Sequence, residues 1–125
     1  MIERLFMVTN NPMSYEKFKE SYRVIYIDGK MEDVYNRVRD EIHGGHKLLT
    51  HPLMGSVKPN ETPYRTICVS EEKVKGTDAD SVLLMENCIM TLRKFLSISP
   101  LPQYPESTLN DFQVIDYDLI NHALE

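Results

Sequence analysis

Hydrophobic residues along this chain recur with two spacings in turn, short continuous runs and stripes at helical period. Residues 5–9 (LFMVT) form an uninterrupted apolar run that predicts a strand buried on both faces, stopped by the turn signal Asn10-Asn11-Pro12. Ser14 can cap a short helix, YEKFKES, with Tyr15 and Phe18 on one side. Residues 22–27 (YRVIYI) read as a second strand ending at Asp28-Gly29. Met31, Val34, Tyr35, Val38 and Ile42 then make one apolar stripe, the clearest helix, which Gly44 and Gly45 stop by left-handed geometry. Residues 47–50 (KLLT) predict a short third strand and 65–70 (RTICVS) a fourth, joined by a loop over 51–64. After a polar turn at 71–77, Val82, Met85, Ile89, Leu92 and Leu96 mark a long helix capped by Thr77 or Asp78. Leu83, Met90 and Phe95 widen its stripe, so this helix is expected to be largely buried. Pro100, Pro102 and Pro105 forbid its continuation. Leu109, Phe112, Ile115, Leu119 and Ala123 suit a final helix, although 112–115 also reads as a strand.

Strand and helix alternate, which predicts a parallel sheet with helices on both faces. The expectation is a single three-layer α/β domain over 1–125, with about four mainly parallel strands in a small Rossmann-like or flavodoxin-like arrangement. Ligands of such sheets bind beyond the carboxyl ends of the strands. Thr9, Asn10 and Asn11 would then face the 51–64 loop. A loop of that length without structure of its own is uncommon and usually functional.

Charge sharpens this picture. The chain carries −5, which argues against a nucleic-acid partner because phosphate backbones need clustered Lys and Arg. Residues 43–64 differ: Lys47, Lys58 and Glu61 give them +1, leaving −6 on the rest. That stretch also holds three of the four histidines (His43, His46, His51) and three of the five glycines. A basic, glycine-broken segment in an acidic protein is where an anionic ligand is expected. No apolar run reaches the roughly 20 residues that cross a bilayer, and the start of the chain lacks the pattern of a signal peptide. No membrane partner and a cytoplasmic location follow as expectations. Cys68 and Cys88 lie in apolar segments without CxxC spacing, so buried free thiols are expected rather than a disulfide or zinc site.

Three constellations compete within the stretch. Gly55-Ser56-Val57-Lys58 offers a close-approaching backbone, a hydroxyl and an ammonium group, suited to a phosphate or carboxylate. The bland alternative is a rigid turn with Lys58 solvated, and it stands beside the first. His43, His46 and His51 with Glu61 could supply metal ligands, but no metal-site spacing is reproduced, so neither metal nor cofactor is expected. Thr50 or Ser56 with His51 and Glu61 contains the members of a triad without a nucleophile elbow. The candidate ligand-binding set is therefore Thr9, Asn10, Asn11, His46, Lys47, Thr50, His51, Gly55, Ser56, Lys58, Asn60, Glu61 and Thr62, with protonated histidines strengthening an anion's affinity toward acid pH.

VTNNP at 8–12 and GHKLLTHPLMGSVKPNETPYRT at 45–66 make the chain resemble the GrdX family, small proteins found beside the glycine, sarcosine and betaine reductase components of amino-acid-fermenting anaerobes. The resemblance implies a cytoplasmic protein associated with selenoprotein-dependent glycine reduction, with no assigned reaction and no catalytic residue to carry over. The chain has no redox-active cysteine pair, which speaks against direct electron transfer. Expected partners are glycine reductase components, a small anionic metabolite and a second copy in a homodimer. The preferred reading is an accessory or binding protein. The alternative is a small enzyme with His46 or His51 as acid–base group, and it needs a histidine within hydrogen-bond reach of Thr50, Ser56 or Glu61 inside a pocket.

Overall fold

In the computed structural model, which describes residues 3–55 and 57–125, the first apolar run becomes the central strand of the sheet. This strand, β1 (Leu5–Thr9), is buried at all five positions, as a strand covered on both faces must be. It is followed by α1 (Pro12–Phe18), β2 (Arg23–Tyr26), α2 (Met31–His43), β3 (Thr66–Ser70), α3 (Ala79–Ile98) and α4 (Glu106–Ala123). The order across the sheet is β2-β1-β3, with β1 parallel to β2 and antiparallel to β3. Side chains alternate between the faces. Phe6, Val8, Ile67 and Val69 meet the stripes of α2 and α3, whereas Leu5, Met7 and Cys68 meet Phe18 of α1 and Ile120 of α4. The result is three layers. No helix among the described residues is long and apolar enough to cross a membrane.

Among the described residues the expected four mainly parallel strands are corrected to three in a mixed sheet: the order β2-β1-β3 matches the first three positions of a flavodoxin-like sheet, but β3 runs antiparallel to β1. Residues 47–50 run antiparallel beside β3 but make one isolated bridge, Leu48 to Val69. The cause lies in how the outer edge of β3 is satisfied. Ser70 N donates to Lys47 O at 2.9 Å, but Cys68 N donates to the Thr50 hydroxyl at 2.9 Å and Thr66 N to Asp116 Oδ1 at 3.0 Å. Leu49 N donates to Cys68 O at 2.9 Å, but with two β3 amides taken by side chains the ladder stops at a single bridge.

Local details also differ from expectation. Asn11, not Ser14, caps α1, its side chain accepting from Met13 N, while Ser14 is buried inside the helix. Of Gly44 and Gly45, only Gly45 is left-handed, at φ +108°. Leu83 and Met90 are 63% and 66% exposed, so α3 buries one side rather than most of its circumference. Residues 112–115 are helical within α4. Helices α2 and α3 are clasped at their surface by a two-pronged pair, Arg39 to Glu86, at 2.7 and 2.6 Å.

Asp116 fastens α4 to the sheet. Its buried carboxylate accepts from Thr66 N at 3.0 Å, from the Thr66 hydroxyl at 2.7 Å and from Asn11 Nδ2 at 2.9 Å. Replacing it with alanine orphans the buried Thr66 amide and takes one acceptor from the Thr66 hydroxyl and from Asn11 Nδ2, which keep Ser14 Oγ and Gln113 O. One orphaned buried donor costs about 1–3 kcal/mol, so Asp116→Ala is expected to lose about that much in urea unfolding. A loss within about 0.5 kcal/mol, typical of surface changes, would show that the carboxylate is dispensable.

The two cysteines give a second test. Burial pushes the Cys68 thiol up to about 12 and the Cys88 thiol up to about 11. Both should stay protonated at mildly alkaline pH and ignore an aromatic disulfide reagent until the chain unfolds, because the thiolate is the nucleophile. Labelling that outruns unfolding, followed by circular dichroism in the same sample, would contradict this.

Candidate functional site

The carboxyl ends of the parallel pair β1 and β2 meet the start of β3, and the Asn-rich turn after β1 ties them together. Asn10 Nδ2 donates to Gly29 O at 3.1 Å and Pro63 O at 2.8 Å, and its Oδ1 accepts from Arg65 N at 2.9 Å. Thr9 Oγ1 lies 2.7 Å from Thr66 Oγ1 and accepts from Asn11 N at 3.0 Å. Residues 9–11 therefore lie against the end of the 51–64 loop. Their side chains are buried and bonded to protein groups, so they tie β1 to the loop rather than present donors to a ligand.

The loop is latched along its second half. Asn60 Nδ2 donates to Phe95 O at 3.2 Å and Ser99 O at 3.0 Å, satisfying carbonyls at the end of α3. The Tyr104 hydroxyl donates to Glu61 O at 2.8 Å, and Gln113 Nε2 to the Tyr64 hydroxyl at 3.2 Å. Gly55 has φ +99°, which favours glycine, and a Cβ there would stand 2.8 Å from Leu119 Cδ1, so a side chain would also push that leucine tip aside.

Two clefts adjoin across Pro100 and Pro102. One, of about 470 Å³, lies between residues 29–32 at the start of α2, the segment Pro59 and Thr62 to Tyr64, and Leu92 and Leu96 of α3. The other, of about 510 Å³, is walled by Lys58, Asn60, Glu61, Phe95, Ser99 and Tyr104. Lys58 is exposed, with Nζ 4.0 Å from Glu61 Oε1. Such a surface pair contributes little to stability and leaves the ammonium group available.

The histidines lie elsewhere. His46 is buried, with Nδ1 2.7 Å from Ser70 O, Nε2 3.5 Å from Glu41 Oε2 and its ring edge-on to Phe6. A carbonyl only accepts, so Nδ1 carries the proton in that contact. Lys47 stands at the same end, its Nζ 3.5 Å from Glu3 Oε1. His43 ends α2 in solvent, and exposed His51 accepts from Leu53 N at 3.0 Å within its own turn. Thr50 and Thr62 are buried. Ser70 pairs with Leu5 and Thr66 with Thr9, so four strand steps separate the two ends, about 13 Å at about 3.3 Å per residue. The stretch 43–64 is thus not one site. His46 and Lys47 stand at one end of β3, while Lys58, Asn60, Glu61 and Thr62 join Thr9, Asn10 and Asn11 at the other. Ser56 lies outside the described residues. Among the described residues no group of three His, Cys, Asp or Glu is placed to hold a metal ion, and no histidine bonds to Thr50 or Glu61.

Arg65 was not among the residues singled out in the sequence. It is 3% exposed, Nη1 donates to Met54 O at 2.8 Å, and Nε has no partner among the described residues. The signal was present: a cation opening an otherwise apolar strand, at the alternate position that shares a face with Ile67 and Val69. Nearby, the buried Tyr35 hydroxyl donates to Pro52 O at 2.7 Å, and burial holds that phenol well above its ordinary range.

No curated protein and no solved structure matches the chain. A family model described as GrdX-like protein matches residues 6–125, nearly the whole length, and the chain accordingly belongs to the GrdX-like protein family.

Proposed function

We propose that this protein is a non-catalytic accessory component of glycine reductase-type amino-acid fermentation that recognises a small anionic ligand. Family membership supports the metabolic setting, with reductase components as partners. The observation that carries the binding reading is the paired cleft at the carboxyl end of β1 and β2, apolar at Leu92, Leu96 and Pro63, with Lys58 on one rim and Lys30 on the other. Open α/β sheets bind ligands at this edge. An apolar cavity with a few polar groups suits a small organic anion. The enzymatic alternative finds less support, because neither cleft is walled by a histidine and His46 is committed to Ser70 O at the far end of the sheet.

Replacing Lys58 with methionine keeps the alkyl stem and removes the charge, so thermal stability should change little. Affinity for a carboxylate or phosphate probe, measured by calorimetry, should fall by the worth of one charge-assisted hydrogen bond, about 1.5–3 kcal/mol or on the order of ten- to a hundredfold. With the histidines remote from the clefts, the expected gain in affinity toward acid pH should be absent between about pH 8 and 6. Unchanged affinity in Lys58→Met would mean that this lysine is merely solvated. A steep rise at low pH would return a histidine to the site.

A further inference from the structure

The arginines of this chain are distributed against electrostatic expectation. Arg23, Arg37, Arg39 and Arg93 lie at the surface and each has a carboxylate partner, Glu71, Glu41, Glu86 and Glu32 respectively. Water already screens those charges, so the pairs contribute little. Arg65 is the arginine that is buried, and among the described residues no carboxylate pairs with it. A guanidinium stays charged inside a protein, and a buried charge without a counter-charge is strongly disfavoured. The other buried charged side chain near the strand, Asp116, does not serve. It accepts from Thr66 and Asn11 on the opposite face of β3.

The pattern of used and unused donors is specific. Arg65 spends Nη1 on Met54 O, while Nε, buried on the long side edge that it shares with Nη2, has no partner among the described residues. That edge is the one that grips a carboxylate or phosphate with two parallel hydrogen bonds. Its surroundings are poor in acceptors: its charge reaches the Tyr35 hydroxyl and the Cys88 thiol, neither of them an anion. The turn over 51–54 lies against it through Met54 O. Leu53 and Met54 in that turn are only partly buried, and Tyr35 to Pro52 O and Arg65 to Met54 O hold it to the core.

We propose that Arg65 is the receptor for an oxyanion, a carboxylate or phosphate group, which it holds two-pronged through Nε and Nη2 beneath the 51–54 turn. This site is separate from the Lys58 cleft and does not depend on it. The anion supplies the counter-charge that the fold omits, so binding and local order of the turn are coupled.

The test uses the full chain and inorganic phosphate, with acetate as the carboxylate probe and chloride balancing ionic strength. Phosphate or acetate should raise the melting temperature of the unaltered protein saturably, where chloride does not. Arg65→Lys keeps a charge without the fork and should weaken that effect by about tenfold or more. In a Lys58→Met background, which removes the cleft's response, Arg65→Met should abolish it without lowering the melting temperature in chloride, because an uncompensated charge has been removed. Lys58→Met should retain the Arg65 effect in full, which separates the two sites. Should the Arg65 variants fail to fold, the Arg65 Nε–H proton resonance of the unaltered protein serves instead, and it should move downfield and saturate with phosphate. A melting temperature indifferent to both anions, an equal response after Arg65→Met in the Lys58→Met background, or a stationary Nε–H resonance would each overturn the proposal.

Discussion

A three-stranded sheet leaves the outer edge of β3 with amide donors and no neighbouring strand, and Asp116 resolves that constraint from fifty residues away. Its carboxylate takes the Thr66 amide and hydroxyl together with the Asn11 amide, so one group joins the end of β1, the start of β3 and the middle of α4. The position of α4 then fixes Leu119 against Gly55 and Gln113 against Tyr64, and those contacts set the path of the loop. The clefts at the sheet edge exist because that path brings residues 58–64 onto the end of α3. The hydrophobic faces of the helices permit many arrangements, whereas a buried carboxylate with three donors permits few.

That hierarchy explains which parts of the fold were legible in sequence. The stripe of Met31, Val34, Tyr35, Val38 and Ile42, and the buried run of β1, are local patterns with a direct physical cause, burial at a fixed period, and both appear as expected. Strand direction is not a local property. Residues 47–50 have the composition of a strand and make two backbone bonds to β3, Ser70 N to Lys47 O and Leu49 N to Cys68 O, but the ladder goes no further because the Cys68 and Thr66 amides donate to Thr50 Oγ1 and Asp116. Leu83 and Met90 fail for a related reason: an apolar residue at a plausible helical position says nothing about whether a neighbouring layer exists to cover it.

The candidate residues were legible as a stretch of sequence but not as an arrangement in space. Composition singled out 43–64 correctly as unusual, but composition has no geometry. The segment starts beside Ser70 and finishes beside Asn10, so it traverses β3 from end to end. His46 and Lys47 are thereby parted from Lys58, although they are near neighbours along the chain. Asn10 and Asn11 were found for the right place and a different role. Amides that could greet a ligand instead cross-link Gly29, Pro63, Gln113 and Asp116.

The adjacent residues Arg65 and Thr66 point to opposite faces of β3 and show two ways of handling buried charge. On the α4 side, the charged group is a carboxylate, and hydroxyl, amide and backbone N–H donors surround it. An anion among neutral donors is complete without a cation. On the α2 and α3 side the charged group is a cation, and it would need carbonyls or carboxylates in comparable number. Among the described residues one carbonyl, that of Met54, is provided. Backbone carbonyls next to β3 are already engaged by Tyr35, Asn10 and Asn60. The fold therefore completes the electrostatics of one face and leaves the other unfinished, and it does so under the loop whose composition first set it apart. A protein that has the carboxylates to pair four surface arginines, and places none beside its buried one, has kept that position for an anion from outside.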